Sequence, residues 1–514
     1  MWPGRIAAAH PDRAAVVMAG SGEVVTHRDL DEGSNRLAQL LYARGLRFGD
    51  HIALCLENHP RFLEVAWAAM RSGLYFTPIN YHLTAEEVAY ILGDSNAAAF
   101  IADEYTAAVA APAATSAGVP DDARISVGVI PGFVAMEDAL ADVPASTPAD
   151  RAGGTFLQYT SGTTGRPKAV QRAAATTIDP ETQAALFAAN LTRYDIEVGG
   201  DAVHLVTSPM YHMSPLSFGF FSLHFEHTVV LMDRSDAERA LELIERYRVT
   251  DVAMVPTQLH RLMQLPEDVR ARYDVSSLRQ VIHAAAPCPV ELKQRLFEWL
   301  GPVIYEFYGA TEGGGTLAKP RDWLAHPGTV GRAWPGADVK VLDDDGNELP
   351  PRTVGTVYLK LMGDFAYKGD PGKTAANRRG EYFTVGDMGE LDEDGFLYLR
   401  DRKIDMIISG GVNIYPAEVE GVLLAHPAVG DAAVFGVPHD DWGEEVKAVV
   451  EPATGVEPSD ALGADLLAHC EEKLARYKCP RSVDFVIAMP RDPNGKLYKR
   501  TLRDPYWIGR ERNI

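Results

Sequence analysis

At 514 residues the chain is too long for one ordinary core, so two or more domains are expected. An apolar fraction of 46% with 23% charged residues is the mix of a soluble globular protein. Its 49 Lys and Arg against 71 Asp and Glu leave a net charge of −22, which argues against a nucleic-acid partner while leaving room for a local phosphate cradle.

Cys55, Cys288, Cys470 and Cys479 are scattered and form no CxxC pair. That argues against a zinc site or a disulfide framework and fits a reducing cytoplasm. The first residues carry no long apolar stretch of the secretory kind. No apolar run approaches the roughly 20 residues of a membrane helix, although peripheral membrane contact stays open. The oligomeric state is not set by the sequence; a homodimer is one option.

The first hundred residues alternate two periodicities. RDLDEGSNRLAQLLYARG reads as an amphipathic helix ended by Gly45, HIALCLE as a buried strand, RFLEVAWAAMRSG as a helix and LYFTPI as a strand. Thr84 and Glu87 have capping-box spacing before VAYILG. Residues 103–150, rich in Ala, Pro, Asp and Ser, read as a surface connection with modest structure. The rhythm returns with AERALELIERYRV as helix, TDVAMVP and LRQVIHAAA as strands, VELKQRLFEWLG as helix and VIYEFYG as strand. Alternation of this kind predicts an α/β fold of parallel sheets with helices on both faces and ligand loops at the carboxyl ends of strands. Residues 336–400, with turns such as DDDGNE and DEDGFLYLRD, predict a small β subdomain. The expected division is an N-terminal domain over 1–402 and a smaller, mobile α+β domain over 403–514.

QYTSGTTGRPKAV, from Gln158 to Val170, crowds hydroxyls and glycines ahead of a lysine. Small residues let backbone N–H groups approach a phosphate, yet this is not the P-loop pattern: Gly162 and Gly165 are too close together, and Lys168 lies beyond a proline. GDPGKT, at 369–374, is a decoy, because Tyr367 stands where a P-loop needs its first glycine. Downstream follow PMYHM (209–213), HAAAPCP (283–289), EFYGATEGGG (306–315), TVGD (384–387), DRKIDMIISGGVNIYPAEVE (401–420) and PNGK (493–496). Any one of these arises by accident, and a turn or an ordinary exposed acid explains it. In this order they do not.

With these motifs the chain resembles the adenylate-forming superfamily, which includes acyl-CoA synthetases, and locally bacterial fatty acyl-CoA ligases of the FadD type. The resemblance runs from about residue 10 to the C-terminus. It implies that a carboxylate attacks the α-phosphate of ATP, that pyrophosphate leaves, and that a thiol, usually that of coenzyme A, takes the acyl group. By resemblance Thr160, Ser161, Gly162, Thr163, Thr164 and Gly165 cradle the β- and γ-phosphates, with Lys168 steadying the loop; Ala169 stands where many relatives have glycine. Tyr308 offers a face to adenine and Glu306 an acceptor to its amino group, with Phe307 and Gly309 beside them and Ala285, Ala286 and Pro287 opposite. Thr311 donates to the α-phosphate and Glu312 holds Mg²⁺. Asp387 and Arg402 hold the ribose, and Lys496 bridges the carboxylate and the α-phosphate.

For thioester formation the family's C-terminal domain swings about the segment after Arg402. Ser409, Gly410 and Gly411 then flank the pantetheine tunnel, with Trp442, Tyr477 and Arg481 toward coenzyme A. Ile404 departs from the Asp or Lys that many relatives carry at the pivot. His212 is expected as a gate and pocket wall, in an acyl pocket with Met213, Phe218, Ala284, Gly309, Gly313 and Gly314. Those small residues imply room, hence a medium- or long-chain or bulky apolar acid. Two other readings stay open: a stand-alone adenylation enzyme loading a carrier protein, and a non-catalytic nucleotide-binding regulator.

Overall fold

Four consecutive apolar residues, Ile52 to Cys55, are wholly buried, as a parallel strand covered on both faces demands. A computed structural model describes residues 3–160, 168–172, 179–310, 313–360, 365–367, 371–492 and 495–509. By contact they form two units: Met1–Ala253 with Tyr273–Val281 and Gly363–Ala376, and Met254–Arg272 with Ile282–Met362 and Asn377–Ile514.

The first unit holds a six-stranded sheet, parallel at every pairing, with His51–Cys55 between Tyr75–Pro78 and Ala97–Asp103. Helix Pro60–Ser72 between two of these strands is buried nearly all round, so its amphipathic stripe widens to a whole surface. The predicted helices appear at His27–Ala43, with Gly45 in the left-handed region just beyond, and at Ala85–Ser95, where the Thr84–Glu87 capping box is made. Also in this unit, Ala14–Met18, Thr228–Leu231 and Val203–Val206 pair in parallel.

The expectation for residues 103–150 is corrected. They supply helix Ala107–Ser116 and two strands of the six-stranded sheet, Arg124–Val127 and Val134–Ala135. Ile125 and Ala113 are fully buried. Alanine packs closely but contrasts little with its polar neighbours, so the helix lacks a visible apolar stripe.

In the second unit the antiparallel strands Val339–Leu342, Gly355–Lys360, Tyr382–Phe383, Asp387–Leu391 and Leu397–Arg402 form the expected β sheet. After it come hairpin Ile407–Ser409/Val412–Ile414, helix Pro416–Leu424, the long pair Val429–His439 and Gly443–Pro452, helix Asp460–Lys473 and strand Ser482–Phe485. Ile407, Val419, Leu423, Val434 and Leu466 join in one core that closes this α+β body. Among the described residues no helix is long and apolar enough to cross a membrane.

Candidate active site

The glycine- and hydroxyl-rich stretch begins on strand Gln158–Thr160 and returns on Lys168–Arg172, antiparallel, with Thr160 paired to Lys168. Ser161, Gly162, Thr163, Thr164 and Gly165 lie outside the described residues, as do Thr311 and Glu312. The base of the hairpin is fixed. Leu157 and Ala169 are buried against Tyr75, and the Tyr159 hydroxyl donates to Asp94 Oδ2 at 2.5 Å. Gln158 Nε2 donates to the Tyr211 carbonyl at 3.0 Å, tying the hairpin to the segment that carries His212.

That segment leaves the carboxyl end of strand Val203–Val206, where ligand loops belong. Buried Asn58 brackets it, donating to Ser208 O and accepting from Met210 N at 2.8 Å. His212 caps helix Met213–His224 by position, and its ring lies tilted against Tyr211, 4.4 Å between ring centres. Met213 is half-buried, while Phe218 packs against Tyr194 and His204. His204 Nδ1 lies 2.6 Å from Asp251 Oδ1 in the core.

The second unit gathers four expected residues. Asp387 and Arg402 face each other across antiparallel strands, their charged groups 3.4 Å apart. The Tyr308 hydroxyl donates to the other oxygen of Asp387 at 2.6 Å. Lys496 sits in a turn closed by its own N–H on Asp492 Oδ1 at 2.9 Å and by Gly495 N–H on Asp492 O. Arg491 braces that turn through the Gly495 carbonyl at 2.6 Å and is itself clamped by both oxygens of Asp431. Gly495, at φ +79°, lies against Thr257 and Val255. The Lys496 side chain is exposed overall, yet atoms crowding its ammonium group, and then the Arg402 cation, hold its pKa below the usual lysine range. Asp387 thus joins Arg402 and Tyr308, and Lys496 lies within electrostatic reach of Arg402.

Two expectations fail here. Glu306 is not a free acceptor for adenine: it is 6% exposed, and its Oε2 accepts from the buried Lys293 ammonium at 2.6 Å. Nor does the glycine run make room. A Cβ at Gly314 would strike the Lys360 carbonyl, and one at Gly315 the Trp334 indole and the Tyr308 carbonyl. At Gly309 the fit is tight without a clash, a Cβ lying 3.1 Å from Gly314 O and 3.4 Å from Trp334. Gly313, Gly314 and Gly315 all have positive φ, because the chain must reverse between Ile304–Gly309 and the antiparallel Gly315–Ala318.

Ala284 is buried at the end of strand Gln280–His283, and Ala285 takes φ +75°, a left-handed conformation that strains a residue with a Cβ. Ala286 and Pro287 lead on toward helix Val290–Leu300. Gly410 and Gly411, both at positive φ, make the two-residue turn between Ser409 and Val412, as a primed hairpin turn requires. Gly410 N–H donates to the Trp442 carbonyl at 2.9 Å. Trp442 is 42% exposed, stacked on His439 at 4.4 Å with the Arg481 guanidinium 5.1 Å from its ring. Tyr477 is 49% exposed. Among the described residues no three His, Cys, Asp or Glu stand together to hold a metal.

The sequence reading missed Lys293, Trp334, Thr257 and His439. Lys293 left a signal. Leu296 and Phe297, three and four positions on, are apolar, which puts the lysine on the buried face of its helix.

The family model described as AMP-binding enzyme matches residues 5–366, and that of its C-terminal domain matches residues 418–496. The chain belongs to the AMP-binding enzymes. Among members of this family, a fatty acid–[acyl-carrier-protein] ligase of Streptomyces coeruleorubidus is 34% identical, over 96% of this chain and 94% of its own. Long-chain-fatty-acid–CoA ligase FadD13 of Mycobacterium tuberculosis is 33% identical over 96% of each. A feruloyl-CoA synthase of Amycolatopsis is 35% identical over 98% of each. Among solved AMP-binding enzymes, o-succinylbenzoate CoA synthetase from Bacillus subtilis with its acyl-adenylate superposes at a TM-score of 0.80, with 28% identity over 100% of this chain and 99% of that one.

Proposed function

We propose that this AMP-binding enzyme is an AMP-forming acid–thiol ligase. It activates a carboxylic acid with ATP as the acyl adenylate, releasing pyrophosphate, and passes the acyl group to coenzyme A. The observation that carries the reading is the joining of Arg402 and Tyr308 on Asp387, with Lys496 close enough to Arg402 to feel its charge.

The first step brings a carboxylate to a polyphosphate, so positioned cations must offset the repulsion. Lys496 is the residue for this, bridging the acid and the α-phosphate as charge builds. Asp387, oriented from two sides, accepts from the ribose hydroxyls, and Arg402 adds a donor. Tyr308 offers its ring to adenine. Thr160 to Gly165 and Lys168 hold the departing phosphates, and Thr311 donates to the α-phosphate. Glu312 is the proposed magnesium ligand, and the ion would neutralise phosphate charge.

For the second step the 403–514 domain turns about the Ile404 pivot. The turn at Ser409–Gly411 with exposed Trp442, Tyr477 and Arg481 then receives coenzyme A, and His212 gates the thiol path. The acid proposed is apolar, fatty or aryl. Met213 and Phe218 support this, as do relatives named for a fatty acid and for ferulate. A carrier protein as acceptor is the second reading, favoured by the Streptomyces relative.

Pyrophosphate release over a panel of acids, with and without coenzyme A and with the thioester followed by mass spectrometry, tests both. Acid-dependent release with acyl-CoA formed is the expected result. Release without thioester would move the acceptor to a carrier protein, and no release with any acid would refute the ligase.

A further inference from the structure

Glu306, Lys293 and His283 form a buried cluster beneath the proposed adenine slot, with half-buried Cys288 beside it. Lys293 has no exposed side-chain surface, and Glu306 has 8%. His283 Nε2 stands 3.7 Å from the same carboxylate oxygen, too far for a hydrogen bond. Burial, and then the Lys293 cation, keep His283 neutral; burial, and then the Glu306 anion, push the Cys288 thiol up to about 12. One anion and one cation therefore face each other among neutral neighbours. The Lys293 ammonium also lies 5.0 Å from the Trp323 ring.

The covalent positions matter more than the charges. His283 ends the strand before Ala284–Pro287, and Lys293 lies on the first turn of the helix after it. Glu306 precedes Tyr308 by two residues on strand Ile304–Gly309. The single Lys293–Glu306 bond thus spans from the loop on one side of the slot to the strand on the other. Between them Ala285 holds a strained left-handed conformation, which persists only where its surroundings impose it.

We infer that Lys293 and Glu306 are positioning residues that set the gap between the Ala284–Pro287 loop and Tyr308, and so the fit of adenine. The inference rests on the proposed nucleotide site. A purely structural role predicts something different. A buried ion pair adds little net stability, and replacing both partners by apolar groups is often neutral or stabilising. Such a change removes the directional bond while keeping the core.

The test compares Lys293→Met/Glu306→Leu with Glu306→Gln, which keeps a neutral acceptor for the ammonium. Thermal unfolding, AMP affinity by calorimetry, and KM for ATP and for the acid are measured on each. The double variant should unfold at or above the wild-type temperature, yet bind AMP about 10- to 100-fold more weakly and raise KM for ATP alone. Glu306→Gln should be less stable and bind AMP nearly as the wild type does. A folded double variant with wild-type AMP affinity overturns the inference. If the double variant does not fold, Glu306→Gln decides: AMP affinity lost in step with stability overturns it, and affinity retained supports it. Wild-type protein that binds no adenine nucleotide refutes the proposed function, and the inference with it.

Discussion

Gly495→Ala isolates the contact that seats the Lys496 turn near the proposed nucleotide residues. Two separate costs arise. Gly495 stands at φ +79°, where a residue with a Cβ is strained by roughly 1–2 kcal/mol, a factor of about 5 to 30 in an equilibrium. A methyl there would also overlap the Thr257 hydroxyl and press on Val255, so the turn must lift away. The adenylation half-reaction, read as acid-dependent ATP–pyrophosphate exchange, should fall by more than the strain factor alone. Thioester formation from preformed acyl adenylate should be unchanged, since that step is proposed to use another placement of the C-terminal body. Adding Thr257→Ala removes the overlapping oxygen and should return the loss to about 5- to 30-fold, the backbone contribution by itself. Wild-type exchange in Gly495→Ala, or no recovery in the double variant, would refute the reasoning.

The remaining predictions concern charge and the thiol step. The proposed role of Lys496 is that of a cation and its pKa is depressed, so exchange should fall as pH rises through a value below the usual 10.5. Arg402→Gln should move that limb upward and Lys496→Arg should abolish it; an unmoved limb in Arg402→Gln assigns it to another group. His27 is fully buried, with no hydrogen-bond partner for either ring nitrogen among the described residues, and burial lowers its pKa to about 4. Its folded pKa lies below the unfolded 6.5, so the neutral form contributes stability above that value. Roughly 3 kcal/mol is lost as pH falls from 6.5 to 4. Denaturant titrations of His27→Leu should show this acid loss flattened, and an unchanged profile would count against it. Trp442→Ala should raise KM for coenzyme A about 2- to 30-fold, as loss of an aromatic face and its cation contact implies, and leave exchange intact. An unaltered KM would take Trp442 out of the thiol site.

Periodicity made the helices and strands around residues 27–102 and 237–309 legible, because helices such as His27–Ala43 bury one clear face and strands such as His51–Cys55 show an unbroken apolar run. It failed over 107–135, where alanine hides the stripe. Motif order marked Asp387, Arg402 and Lys496, whose chemistry is carried by residue type. It misjudged Glu306, since the role of a carboxylate depends on which cation lies across the fold, and Lys293 is thirteen positions away on another element. The glycines after Glu312 misled for a related reason. A missing side chain signals either space or crowding, and only the position of Trp334 distinguishes them.

The Lys496 turn is fastened in two unlike ways. Toward its own body it is held by an ion pair, Arg491 on Asp431. Toward helix Pro256–Gln264 the contacts are neutral: Gly495 against Thr257, His260 on the Gly430 carbonyl, and Gln264 on the Val429 carbonyl. Parting the neutral face strands no ion from its counter-ion, so its opening should be nearly indifferent to ionic strength. In the proposed cycle the joint that stays closed is ionic, and the one that parts is uncharged and sheds its two hydrogen bonds to water. In the proposed cycle the lysine would travel as a fixed tooth on a body that disengages cheaply.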